Sequence, residues 1–156
     1  MKGNKKLIEA LNGLLADELT AINQYVVHGE MAENWGYGKL KKFVRARSIT
    51  EMRHAEKLIE RILFLGAAPI AGKLNKIQIG ADVPQQLAND LASEMTAVAS
   101  YNSAVKLATD VGDNATREIL EGILKDEDSH VNEIEEKLDQ IKQMGVQNFL
   151  AIQAVE

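Results

Sequence analysis

Two Glu-x-x-His pairs, Glu51/His54 and Glu127/His130, recur at an offset of 76 residues, and two lone glutamates, Glu18 and Glu94, repeat at the same offset. On a helix, positions i and i+3 lie about 60° apart, so each histidine shares a face with its glutamate. Carboxylate oxygens and imidazole nitrogens suit iron or manganese, and they also bind zinc. One glutamate from each of two helices, joined by Glu-x-x-His from each of two others, is the donor set of helical bundles that hold a pair of metal ions. The chemistry predicted by these six residues is therefore the binding of two divalent cations.

The surrounding sequence turns all four carboxylates inward. Residues seven apart nearly eclipse on a helix. Glu18 falls between Leu11 and Tyr25, Glu94 between Leu87 and Tyr101, Glu51 between Val44 and Leu58, and Glu127 between Leu120 and Ile134. Each buried carboxylate would cost several kcal/mol unless neutralised. No lysine or arginine lies on these stripes, whereas two divalent cations would balance the four negative charges.

Four long segments with helical periodicity must position this set. The first runs from about Asn4 to Asn34, with Leu7, Leu11, Leu14, Leu15, Ile22 and Tyr25 in its apolar stripe. The second spans about Lys39 to Leu65 and stops at Gly66, with Pro69 just beyond. The third starts at Asp82-Val83-Pro84, a capping residue followed by an early proline, and the fourth follows Gly112-Asp113-Asn114. Gly145 then breaks the pattern, and a short apolar tail predicts a fifth helix over about 146–155. The links Asn34–Gly38 and Gly112–Asn114 are short, so each joins antiparallel neighbours. The stretch Gly66–Asp82, with a strand-like Lys76-Ile77-Gln78-Ile79, reaches about 55 Å when extended. It can thus span a helix of about 40 Å and start the third helix at the far end. The expected fold is all-α: a four-helix bundle over about 4–144 with one long crossover. The 76-residue shift also superposes Leu15 on Leu91, Thr20 on Thr96 and Tyr25 on Tyr101, so the two helical hairpins read as copies within a single domain, 1–156.

Composition narrows the chemistry further. The absence of cysteine removes disulfides, thiolate metal sites and thiol nucleophiles. A net charge of −5 disfavours nucleic acid as a partner and suits the attraction of cations. No apolar signal segment follows the basic start Met1–Lys6, and no membrane-spanning stretch is present, so a cytoplasmic location is expected.

At these residues the chain resembles the bacterioferritin family, a ferritin-like di-iron group. Besides Glu18, Glu51-x-x-His54, Glu94 and Glu127-x-x-His130, the likeness extends to Asn23-Gln24-Tyr25, Asn34-Trp35-Gly36, Glu60–Leu65 and Met144-Gly145, and it covers the whole chain. The resemblance implies a ferroxidase that oxidises ferrous iron with oxygen or peroxide and stores ferric mineral in a 24-subunit shell built from dimers. It implies two iron ions per subunit, bridged by Glu51 and Glu127, with Glu18 and Glu94 terminal and one nitrogen each from His54 and His130. A ferredoxin-type reductant is the expected partner for iron release.

The resemblance also bears on residues outside that set. Tyr25 is placed by pattern to hydrogen-bond a ligand or donate an electron, against a plain reading as a core tyrosine. Tyr101, its repeat mate, reads more readily as core, and His28, about 80° round the first helix from Glu18, reads as structural. From its position alone Met52, which points away from the core stripe, is a packing or interface residue. The resemblance makes it instead the axial ligand of haem b shared between two subunits. Ala46 and Thr50 stand where some family members carry an inner-surface histidine and acid, which implies that iron passes through the di-iron centre itself. The alternatives are a haem and di-iron electron-carrier shell, or a peroxide-detoxifying one. A rubrerythrin-like peroxidase is disfavoured, because that family adds a cysteine-ligated iron domain.

Overall fold

A computed structural model describes residues 1–155. Five helices follow in order: α1 Lys5–Asn34, α2 Gly38–Phe64, α3 Val83–Asp110, α4 Asn114–Met144 and α5 Val146–Gln153. Three of the starts are capped as their residue types require. Asn4 accepts from the Leu7 N–H, Asp82 from Gln85 and Asp113 from Thr116, each satisfying one otherwise unpaired donor of a first turn. The two tight interhelical turns use Gly36 (φ 84°) and Gly112 (φ 75°), themselves related by the 76-residue repeat. In both, the next residue's N–H returns to the last helical turn, Tyr37 to Ala32 and Asp113 to Ala108, at 2.9 Å.

α1 packs along α2 and α3 along α4, and the two hairpins close on each other through α1 with α3 and α2 with α4. The core divides into two apolar clusters. One gathers Leu7, Leu11, Leu15, Leu58, Ile62, Tyr101, Leu120 and Ile123. The other gathers Tyr25, Leu40, Val44, Leu87, Ile134 and, from α5, Phe149. The residues between these clusters in all four helices are the predicted carboxylates and histidines. Among the described residues no helix is long and apolar enough to cross a membrane.

The crossover between α2 and α3 is extended but does not form the strand suggested by Lys76–Ile79. A lone segment has no partner strand to bond with, and its backbone groups go elsewhere. Its N–H groups go to side chains of α1, Ile70 to Asn12, Asn75 to Thr20, Gln78 to Gln24 and Gly80 to His28, while the Gln78 and Gly80 carbonyls accept from Asn89 and Gln86 of α3. Those α1 residues recur at helical spacing, so one face of α1 serves as the missing strand edge. His28 is structural, as its position on the helix implied. Its Nε2 accepts from Gly80, which leaves the Nδ1 proton for Asp90 at 3.0 Å, while Gln24 donates to the same carboxylate oxygen. Gly80 has no room for a side chain, because a Cβ would lie 2.4 Å from the Gln86 nitrogen.

Candidate metal centre

All six predicted residues meet at the middle of the bundle, each buried to 3 % exposure or less. Glu18 comes from α1, Glu51 and His54 from α2, Glu94 from α3, and Glu127 and His130 from α4. They form two overlapping quartets, Glu18/Glu51/His54/Glu127 and Glu51/Glu94/Glu127/His130, whose donor atoms lie within 4.8 Å of one another. Glu51 and Glu127 belong to both. The His54 Nδ1 lies 3.0 Å from Glu127, 3.4 Å from Glu51 and 3.6 Å from Glu18. The His130 Nδ1 mirrors it, 2.9 Å from Glu51, 3.5 Å from Glu94 and 3.6 Å from Glu127. The two rings face each other with centroids 6.1 Å apart. This is the sequence repeat expressed as an approximate two-fold axis through the site.

Each outer carboxylate is held by a tyrosine from the opposite hairpin. Tyr25 donates to Glu94 Oε1, and Tyr101 donates to Glu18 Oε1. The second oxygen of each, both oxygens of Glu127, Glu51 Oε1 and the Nδ1 of both histidines are buried and reached by no hydrogen bond. Tyr101 thus belongs to the site on the same footing as Tyr25, and the repeat was the signal that could have placed it there. Asp126 was not anticipated: its carboxylate lies 2.8 Å from the outer nitrogen, Nε2, of His54.

Crowding sets the protonation of the cluster. Burial raises Glu94 to about 7, and burial together with the neighbouring Glu51 holds Glu18 well above the ordinary carboxylate range. Burial opposes charge on His130, but Glu127, Glu51 and Glu94 outweigh it and push the imidazole up to about 11; His54 moves the same way. Glu51 also resists burial, through Glu18, His130 and His54, and falls to about 2. Protons therefore do part of the neutralising that metal ions would complete. A cavity of about 190 Å³ leads to the carboxylates between α1, α3 and the crossover, past Asp17, Asn75, Gln78 and Asn89.

Met52 stands apart from the cluster. It follows Glu51 on α2 but is 48 % exposed, on the outward face as expected from its position on the helix. An exposed thioether is a soft donor able to ligate a haem iron. The Thr50 hydroxyl donates to Ala46 O at 3.1 Å, so neither residue presents a metal-ligating group.

A family model described as a ferritin-like domain matches residues 8–144. The chain is 42 % identical to bacterioferritin of Rhodobacter capsulatus over 154 residues, covering 99 % of this chain and 96 % of that one. It is 38 % identical to bacterioferritin of Brucella melitensis biotype 1 over 149 residues, covering 96 % and 92 %. Bacterioferritin of Mycolicibacterium paratuberculosis is 36 % identical over 151 residues, covering 97 % and 95 %.

Proposed function

The chain belongs to the bacterioferritin family of ferritin-like iron-storage proteins, and from that membership we propose that each subunit binds two ferrous ions in the central cluster, oxidises them, and passes ferric iron to a mineral stored within a closed homo-oligomer. One observation carries the site: among the described residues nine buried side-chain nitrogen and oxygen atoms lack a hydrogen bond, and seven of them belong to Glu18, Glu51, His54, Glu94, Glu127 and His130. Unpaired buried polar atoms are costly and rare in native proteins, and here they converge on one space. Two divalent ions would satisfy them and balance the charge.

In this reading Glu51 and Glu127, shared by both quartets, bridge the two irons. Glu18 and His54 complete one subsite, Glu94 and His130 the other. Tyr101 and Tyr25 orient the terminal carboxylates by holding one oxygen of each, which leaves the second for iron. Ferrous ions enter by the polar cavity along Asp17 and Asn75. The reaction balances as four ferrous ions, one dioxygen and four protons giving four ferric ions and two waters; with peroxide, two ferrous ions and two protons give two ferric ions and two waters.

The oligomer in this reading is a 24-subunit shell built from dimers, working in the cytoplasm, with a ferredoxin-type reductant for iron release. Met52 from each of two subunits would hold haem b between them, and the haem would supply an electron-transfer group for that release. The test is anaerobic loading of the oligomer with ferrous iron followed by oxygen. The reading expects a fast oxidation that saturates at two irons per chain, then slower mineral growth. Saturation at one iron per chain, or no fast phase, would contradict it.

A further inference from the structure

The two halves of the cluster match in their ligands but not in what supports them. Asp126 Oδ2 lies 2.8 Å from His54 Nε2, with the His54 ring almost fully buried and the Asp126 side chain 49 % exposed. When Nε2 carries the ring proton and donates it to Asp126, the Nδ1 lone pair faces Glu127, Glu51 and Glu18. A carboxylate behind a ligating imidazole fixes its tautomer and orientation and makes it a stronger donor. The repeat gives His130 no such support. The position related to Asp126 by the 76-residue offset is Thr50, whose hydroxyl is turned to its own helix at Ala46 O. Among the described residues no hydrogen bond reaches the outer nitrogen, Nε2, of His130, in contrast to that of His54.

We propose that Asp126 is a positioning residue for His54, and that it makes the Glu18/His54 subsite the tighter of the two and the first to fill. The inference rests on the reading of the cluster as a two-metal centre. Its physical content is a difference in preorganisation. Asp126 fixes the ligating tautomer of His54, whereas the tautomer of His130 must be selected when a metal arrives, and that selection weakens its subsite.

Titration of the intact oligomer with Co²⁺, which oxygen does not turn over, reads both subsites through visible absorption. The parent protein should take up two Co²⁺ per chain in two resolved steps. Asp126→Ala should weaken the first step by about 10–100-fold and leave the second unchanged, since loss of a carboxylate behind a ligating histidine typically costs that much. Asp126→Asn, which keeps an acceptor but loses the charge, should fall between. Thr50→Asp, which restores the repeat behind His130, should tighten the second step and bring the two together. An unchanged first step in Asp126→Ala, or an equal weakening of both steps, would overturn the positioning role. Uptake of fewer than two Co²⁺ by the parent would overturn the two-metal reading, and this inference with it.

Discussion

Tyr101 on α3 donates its hydroxyl to Glu18 on α1 at 2.7 Å, and the pair Tyr25–Glu94 repeats that bond in the opposite direction. Each tyrosine belongs to one of the two apolar clusters that enclose the carboxylates. The same bonds thus seal the ends of the polar layer and set the terminal glutamates. Tyr101→Phe and Tyr25→Phe each keep the packing volume and leave a buried carboxylate oxygen without its donor. Each should cost about 1–3 kcal/mol, the penalty for leaving a buried acceptor unsatisfied. Chemical unfolding of the chelated protein would show it, and an unchanged midpoint in both variants would contradict the role.

Glu127→Ala removes a carboxylate shared by both subsites. The oligomer should still assemble, because the change also removes a buried charge, while the fast phase of ferrous oxidation disappears. Stopped-flow absorbance on the assembled variant checks this. An undiminished fast phase would remove Glu127 from the centre.

Metal uptake should be proton-coupled. With His130 raised to about 11, His54 also raised and Glu94 near 7, the metal-free cluster carries protons at neutral pH that two cations must displace. Binding therefore releases protons and tightens as pH rises. Calorimetry with Zn²⁺ in buffers of different ionisation enthalpy measures the release, and a count of zero would contradict it. The linkage for the metal-free fold has the opposite slope. The histidine contribution is fully present below the ordinary imidazole value near 6.5 and is lost as pH rises toward about 11.

Met52→Leu nearly conserves volume on an exposed position, so stability should change by less than about 1.5 kcal/mol. The thioether disappears. Produced with ample haem, the assembled variant should lack the parent's haem absorption and still oxidise ferrous iron at its core. Retention of the parent spectrum would assign Met52 to interface packing alone.

Much of the site was legible because the repeat acts as an internal comparison. Glu18 and Glu94, and the two Glu-x-x-His pairs, stand out when the sequence is set against itself, and the flanking leucines turn them inward. The same comparison hides whatever breaks the symmetry. Asp126 aligns with Thr50, and the network of Gln24, His28 and Asp90 aligns with Ser100, Ala104 and Leu14, so neither draws notice by repetition. That network exists because the crossover, which the repeat does not duplicate, runs along α1 and meets His28 through the Gly80 N–H. Lys76–Ile79 misled for a related reason: its alternation is that of an extended chain, but what satisfies an extended chain here is a ladder of side chains on α1, which strand periodicity does not encode.

The two overlapping quartets should hold two metal ions side by side. Crystals loaded anaerobically with ferrous iron and measured at the iron absorption edge test it most directly. The expected result is two anomalous peaks about 3.5–4 Å apart, one against Glu18 and His54 and one against Glu94 and His130, with Glu51 and Glu127 reaching both. A single peak, or iron bound only elsewhere on the chain, would contradict the account.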